Sequence, residues 1–502
     1  MATRRPRTST WAGKDASLLL SELINGDGAS PARGVDIIGI TSDSREVRPG
    51  YLFAALPGST LDGRDYIDDA LDHGAVAVLA EPDTAIPRKN VHLVADSNPR
   101  HRLAVVAARF YGAQPETVAA VTGTNGKTSV ANFAAQIWSA TGRIAGCIGT
   151  LGLQAPGVSD SLFHTTPDPV ALHKALAELE RSGVDHLAIE ASSHGLDQCR
   201  LDGVKIDVGA FTSLSQDHLD YHGEAANYFN AKLRLFSEVM STDGTAILNV
   251  NLSQYETVSK TCRERGQRVL SYGCNGGDFS ILRKRPTDGG QSLELDVMGA
   301  RYDPALPLVG GFQAENAVCA LAIAVATGVD PHAAVESMSA LVGIPGRLQR
   351  VATHPCGADV YVDYAHTPNA LANLLNAIKP YASNRLVVVF GCGGDRDRGK
   401  RPVMGEIACQ YADRVIVTDD NPRDEDPAAI RRQVMAGCDR AIEVRDRAEA
   451  IRAATAGLDV GDVLVIAGKG HEQGQIIGGD VRPFDDAEMA RAAVAEMGGV
   501  RT

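Results

Sequence analysis

No stretch of this 502-residue chain is apolar for long enough to cross a bilayer, so membrane insertion is not expected. Paired cysteine spacings are missing as well. The nine cysteines, at 147, 199, 262, 274, 319, 356, 392, 409 and 438, contain no CxxC and are odd in number, which excludes a full disulfide framework and leaves no zinc signature. Reduced thiols and a cytoplasmic location are the expectation. An excess of positive charge is also lacking: the formal net charge is −13, which argues against nucleic acid as a partner while leaving room for a local basic pocket. The amino-terminal MATRRPRTSTWAG is basic but has no apolar core of the kind a secretory signal needs, and it reads as a frayed tail.

What the chain does have is length and abundant alanine and glycine, as in α/β proteins of several domains. The expected architecture is a small N-terminal α/β domain over 1–113, a central nucleotide-binding domain with a mostly parallel sheet over 114–345, and a doubly wound, Rossmann-like domain over 346–502. A monomer is expected.

The stretch that organises the rest is Val121-Thr-Gly-Thr-Asn-Gly-Lys-Thr-Ser129. A short buried strand ends at Val121, and Val130, Phe133, Ala134 and Ile137 have helical spacing behind it. A glycine-rich turn between strand and helix aims backbone N–H groups and the positive helix end at one point. There Lys127 adds a charge and Thr128 a hydroxyl able to hold Mg²⁺. The general phosphate-loop spacing is not met, because Val121 stands where its first glycine would be and Gly123 comes later, giving a shorter loop. The plain alternative is a strand-to-helix turn carrying a solvated lysine.

Two further strands end in polar runs. Leu187 to Glu190 precedes Ala191-Ser-Ser-His-Gly195, and Val208 to Leu214 precedes Ser215-Gln-Asp-His-Leu-Asp-Tyr-His222. Glu190, Asp217, His218, Asp220 and His222 therefore share the edge of the phosphate loop, and oxygen with imidazole ligands suits Mg²⁺ or Mn²⁺. Asp217 and Asp220 read equally well as helix caps. Lys232, among apolar neighbours in an amphipathic helix over 228–239, is either drawn to this edge or a snorkelling surface lysine. Alternating strands over 278–309 are expected to pack on the central sheet, and a helix over 316–326 offers its polar start to a base or ribose. Arg347, in the loop Gly343-Ile-Pro-Gly-Arg347, is a partner for phosphate or a turn residue.

In the last third, strands at Asp359 to Val362, Arg385 to Phe390, Arg414 to Thr418 and Val463 to Ala467 each run into a polar loop. Guanidinium forks bind carboxylates bidentately, so Arg396 and Arg423 with Asn421 and Glu472 suit an amino acid carrying carboxylates and amines. A second phosphate-binding loop around Gly391 to Gly394 is the competing account.

Taken together, Gly123-Thr-Asn-Gly-Lys-Thr128, Thr165-Thr-Pro167, Glu190-Ala-Ser-Ser-His-Gly195, Asp217-His-Leu-Asp-Tyr-His222, Ala231-Lys232, Pro345-Gly-Arg347, Asp363-Tyr-Ala-His-Thr-Pro368 and Gly468-Lys-Gly-His-Glu472 give the chain a resemblance to the Mur ligase family along nearly its whole length. The form Asp420-Asn-Pro-Arg423 resembles that of members selective for meso-diaminopimelate, whose extra carboxylate an arginine pairs and whose lysine competitor it repels.

The resemblance implies that ATP is held by Gly123, Thr124, Asn125, Gly126, Lys127, Thr128, Asn316, Arg347, Asp363 and His366. It implies two Mg²⁺ ions served by Thr128, Glu190, His218 and a carbamylated Lys232, with Lys127, Glu190, His218 and Lys232 as the catalytic set. Contacts to a UDP-N-acetylmuramoyl dipeptide fall to Ser44, Thr165, Thr166, Ser192, Gln198 and Arg200, and contacts to the amino acid to Arg396, Asp420, Asn421, Arg423, Gly468 and Glu472. Ser213 and Gln313 depart from the family pattern, where asparagine is common at both positions. The implied reaction is formation of an acyl phosphate from a carboxylate and ATP, followed by attack of an amine. A lysine-adding or folylpolyglutamate-type ligase of the same fold is an alternative, and so is an ATP-driven switch without ligase activity.

Overall fold

The computed structural model describes residues 17–24, 34–58, 61–160, 164–215 and 217–501; the side chains of Leu219, Asp220 and Arg501 fall outside that description, as does the basic amino-terminal run. Two compact units are distinguished. One gathers the described residues of Met1–Pro115 with Thr166–Gly183 and His194–Val204, and the other contains Glu116–Thr165, Val184–Ser193 and Lys205–Thr502.

The first unit is built on four parallel strands in chain order, Gly39–Thr41, Tyr51–Ala54, Ala77–Ala80 and His92–Ala95. Leu52, Ala54, Leu79, Leu103 and Val106 form one side of its core. Helix Pro99–Tyr111 starts where Asn98 accepts a bond from the His101 amide at 3.2 Å and a proline fills a first-turn position that needs no donor. It packs on helix Pro169–Arg181, capped in the same way by Asp168. Segment 166–183 is thus separated in sequence from the unit it helps to build.

In the second unit the larger sheet has seven parallel strands at its centre, in the order Ala145–Gly149, His186–Glu190, Thr117–Thr122, Val208–Phe211, Thr245–Asn249, Arg268–Cys274 and Phe279–Thr287. The chain leaves Thr117–Thr122 toward one edge and returns to its other side at Val208–Phe211. That reversal opens a crevice at the carboxyl end of Thr117–Thr122, where open α/β sheets bind ligands. The strands over 278–309 do not stack on this sheet; Phe279–Thr287 hydrogen-bonds to its edge and the following strands continue it antiparallel. An unpaired edge offers main-chain partners that a face does not.

The smaller sheet orders Ile442–Glu443, Arg414–Val417, Leu386–Phe390, Val463–Ala467 and Asp359–Asp363 in parallel, with antiparallel Gln349–Thr353 and Val500–Arg501 at one edge. Four carboxyl ends therefore deliver Asp363, Gly391, Thr418 and Gly468 to one rim. Arg447, fully buried, clamps this rim from behind: it forms a bidentate pair with buried Asp486 at 2.7 Å and donates to the Ala467 carbonyl at 2.9 Å.

Two helices differ from the periodicity. Helix Gly311–Ala326 begins a full turn before Asn316, so Gln313 and Asn316 project from its side instead of lying at its start. The helix bearing Lys232 runs Ala225–Arg234 and then widens to a π-turn over Leu235–Val239, a feature that apolar spacing does not encode.

Candidate active site

The phosphate loop has the geometry its glycines require. Gly123 (φ +143°) and Gly126 (φ +88°) are positive-φ positions, and a Cβ at Gly126 would meet the Asn316 Oδ1 at 2.5 Å. Ser213, one of the departures from the family pattern, stitches the loop down: its hydroxyl accepts from the Asn125 amide at 2.9 Å, and its carbonyl accepts from the Thr124 amide at 2.7 Å. Gln313, the other, donates to the Arg347 carbonyl at 3.0 Å and accepts from Asn316 at 3.1 Å. Both departures preserve polar ties beside the loop.

Around it, Thr128, Glu190, Arg347, Lys127 and Lys232 make the following contacts. The Thr128 hydroxyl donates to Glu190 at 3.0 Å and accepts from Arg347 Nη2 at 3.2 Å. Glu190, almost fully buried, also accepts from the Thr150 amide at 2.8 Å, and the Thr150 hydroxyl lies 3.2 Å from that of Thr165. Lys127 donates to the carbonyls of Gly123 and Thr124 at 2.8 and 2.9 Å, and Lys232 donates to the same Gly123 oxygen at 2.9 Å. Two lysine side chains thus share one acceptor.

Lys232 is 1% exposed and lies 4.4 Å from the Tyr228 ring centroid. Burial, and then the Lys127 charge, hold its amine well below the ordinary lysine range. Burial also lowers Lys127, with Glu190 opposing. His218 sits at positive φ (+53°), its amide donating to Asp217 at 2.9 Å.

Among the described residues no group of three His, Cys, Asp or Glu side chains is gathered for a metal. The donors that do meet, the Thr128 hydroxyl and the Glu190 carboxylate, are hard oxygens and fit Mg²⁺. Lys232 fits only if its cation is converted to an anion.

A cavity of about 1070 Å³ opens over the rim of the smaller sheet. Asp217, His218, His366, Arg396, Asp420, Asn421, Arg423, Gly468 and Glu472 all line it, bringing together the residues assigned to the amino acid with two assigned to the nucleotide side. Arg347, 4.7 Å from the Tyr364 ring centroid, links this rim to Thr128. Arg423 is held at φ +50° by main-chain bonds to Ile476 and Gly478, and its Nη1 donates to the Gly394 carbonyl at 2.7 Å.

Lys469, inside Gly468-Lys-Gly-His-Glu472, has a role that the motif alone does not reveal. This lysine is fully buried and donates to Asn421 Oδ1 and Glu472 Oε2, both at 3.0 Å, with Asp420 at 3.8 Å. Only part of the signal is local, a lysine two residues past a buried strand with Glu472 three residues on; Asp420 and Asn421 come from a distant loop. Replacing Lys469 with Met leaves those oxygens without their common donor. We expect a stability loss of about 1–3 kcal/mol and a raised KM for the amino acid with KM for ATP unchanged, read by denaturant melts and steady-state kinetics.

Asp363 turns inward, accepting the Leu348 amide at 2.6 Å and the Ala365 amide at 2.8 Å. Burial raises its pKa from 3.8 to about 6. The folded state therefore binds a proton more readily than the unfolded chain, and this group's stabilisation is full below pH 4 and lost as pH rises toward 6. Wild type relative to Asp363→Asn should lose on the order of 3 kcal/mol across that window; parallel pH–stability curves for the two proteins would remove the assignment. Burial likewise lowers His366, whose Nδ1 meets the Tyr364 carbonyl at 3.0 Å.

The remaining predicted contacts fall in two places. In the first unit, Ser44 is buried in the turn Ser44–Glu46, while Arg200 donates to the Thr166 carbonyl at 2.7 Å and to Gln198 at 2.8 Å. In the second, Thr165 joins the Thr150 hydroxyl, and Ser192 follows the strand that ends in Glu190.

Three family models match the chain in succession: "Mur ligase family, catalytic domain" at 36–111, "Mur ligase middle domain" at 121–324 and "Mur ligase, glutamate ligase domain" at 346–470. A UDP-N-acetylmuramoyl-L-alanyl-D-glutamate–2,6-diaminopimelate ligase of Bradyrhizobium diazoefficiens is 50% identical over 482 residues, covering 95% of this chain and 99% of that protein. A solved structure of an enzyme of the same name superposes with a TM-score of 0.72 at 34% identity, covering 96% of this chain and all of that one. The MurF ligase of Thermotoga maritima in complex with ADP shares the fold at a TM-score of 0.61 and 19% identity, over 91% of this chain and 96% of its own. A half-identical relative matched almost end to end, and models that tile the chain in the order its motifs predict, leave one conclusion: this protein belongs to the Mur ligase family.

Proposed function

We propose that the chain is an ATP-dependent ligase that joins meso-diaminopimelate to UDP-N-acetylmuramoyl-L-alanyl-D-glutamate in peptidoglycan precursor synthesis. One observation carries this reading. Thr128 of the phosphate loop is tied through Arg347 to the rim of a cavity whose lining includes Arg396, Asn421, Arg423 and Glu472. This tie supports a phosphate site next to one for a charged amine and carboxylates.

In the proposed reaction the D-glutamyl γ-carboxylate attacks the γ-phosphorus of ATP, forming an acyl phosphate and releasing ADP. Two anions must approach, so Lys127 and Arg347 serve by neutralising charge and the loop amides by holding the phosphates in line. Thr128, Glu190, His218 and the carbamate of Lys232 are the groups proposed to hold two Mg²⁺ ions, which when bound supply further charge neutralisation. The neutral amine of diaminopimelate then attacks the acyl carbon and phosphate departs. Glu472 and Asn421, locked by Lys469, orient the amine end, while Arg423 and Arg396 receive carboxylates.

Ser44, Thr166, Gln198 and Arg200 in the first unit, with Thr165 and Ser192 in the second, remain the proposed contacts to the UDP-linked acceptor. Action as a cytoplasmic monomer is part of the same reading. No helix among the described residues is long and apolar enough to cross a membrane.

A screen of amide product formation across diaminopimelate isomers, lysine and ornithine tests the proposal. Product with meso-diaminopimelate far above that with lysine supports it. Equal or greater product with lysine moves the protein to a lysine-adding ligase.

A further inference from the structure

Arg401 stands fully buried in the first turn of helix Lys400–Tyr411, beneath two of the loops on the rim of the smaller sheet. Its Nη1 donates to Glu425 Oε2 at 3.0 Å and to Gln433 Oε1, on helix Pro427–Met435, at 2.7 Å. Its Nη2 donates to Glu425 Oε1 at 2.8 Å and to the Gly393 carbonyl at 3.1 Å. Glu425 also accepts the Asp395 amide at 2.6 Å and pairs with Arg398 at 3.3 Å. One guanidinium therefore holds the loop that follows Leu386–Phe390 and the loop that follows Arg414–Val417 in a single frame.

Glycine lets those loops touch. A Cβ at Gly394 would collide with the Pro422 carbonyl, and one at Gly393 would meet Arg423 Nη1 at 2.9 Å. The Gly394 amide donates to the Asn421 carbonyl at 2.9 Å, and Arg423 Nη1 donates to the Gly394 carbonyl at 2.7 Å. Arg401 thus grips the peptide next to the one that orients Arg423. Stability alone is a poor reason for it: its Nε has no acceptor among the described residues, and an apolar side chain of like volume often serves a core as well as a buried ion pair does. What an apolar side chain cannot supply is the set of aimed donations. The bond from Arg401, and then the Asp395 amide, hold the Glu425 carboxyl down to about 2, so the frame stays charged at neutral pH.

We propose that Arg401 is a positioning residue for amino-acid selectivity: by fixing Gly393 and Glu425 it aims the Arg423 guanidinium at the terminal carboxylate of the incoming amino acid. The proposal rests on reading the cavity as the amino-acid site. Buried as it is, Arg401 acts through Arg423 and not by touching substrate.

Steady-state kinetics with meso-diaminopimelate, lysine and ATP on wild type, Arg401→Met, Arg423→Ala and the double variant test this. Arg401→Met should raise KM for diaminopimelate about 10-fold, the scale on which a small misplacement acts, with KM for ATP unchanged and the preference over lysine narrowed. In the Arg423→Ala background the same substitution should add little, because the group it aims is gone. Arg401→Lys keeps the charge and loses the fork, so it should show the same pattern and carries the test should Arg401→Met fail to fold. A further rise of the same size in the double variant, a KM for ATP that climbs in step, or loss of the folded state in both single Arg401 variants overturns the proposal. Wild type that makes no product with diaminopimelate sinks the amino-acid reading itself, whereas product made with an unchanged KM in Arg401→Met sinks this proposal alone.

Discussion

Replacing Lys232 with Ala should lower ligase turnover by on the order of 100-fold or more, the scale on which groups around a catalytic metal act, and added acetate or formate should restore part of it. The reasoning starts from burial. Carbamylation needs a neutral amine, and an ordinary lysine at pH 7 offers roughly one part in a few thousand. Lys232 is 1% exposed, and desolvation together with the nearby Lys127 charge favours the neutral form. As an ammonium it competes with Lys127 for the Gly123 carbonyl; as a carbamate it would attract Lys127 and offer oxygen ligands to a metal. A small carboxylate diffusing into the space left by the side chain supplies similar oxygens. Wild-type activity in the variant would remove Lys232 from the site, and lost activity that no carboxylate restores would leave it as packing alone.

Arg423→Ala should raise KM for diaminopimelate by about 30-fold or more while KM for ATP changes little. Loss of one hydrogen-bonded partner of a desolvated charge costs about 2–5 kcal/mol, and the lower end suits a residue that lines an open cavity. The variant also tests selectivity. The guanidinium attracts the terminal carboxylate of diaminopimelate and repels the ammonium of lysine, so removing it should narrow the preference between them from both directions. An equal rise in both KM values would mean that Arg423 serves the loop, through its bond to the Gly394 carbonyl, and not the substrate.

Much of this was legible in the chain because it is encoded locally. Runs such as Leu386–Phe390 and Val463–Ala467 are apolar throughout and become central strands buried on both faces. The phosphate loop is a strand, a glycine turn and a helix contiguous in sequence. What escaped was set by distant partners. The edge pairing of Phe279–Thr287 depends on a strand that alternation within 278–309 does not mention. Asn316 lies within its helix because Gly311 can start one, although glycine is a poor helix former.

The candidate site divides in the same way. Glu190 and Thr128 are 62 residues apart and meet only once strand His186–Glu190 lies beside Thr117–Thr122, the strand that leads into the helix of Thr128, which the motifs could anticipate. Lys469 meets Asn421 across 48 residues of sequence, and no single window of residues contains both.

The account stands most directly on a measurement of ADP release by the purified protein with ATP and Mg²⁺, made with neither acceptor, with each alone and with both. It predicts sustained turnover only when the UDP-linked dipeptide and diaminopimelate are both present, with product matching ADP one for one. Turnover with neither acceptor, unchanged when both are added, would contradict it and leave an ATP-hydrolysing switch in place of a ligase.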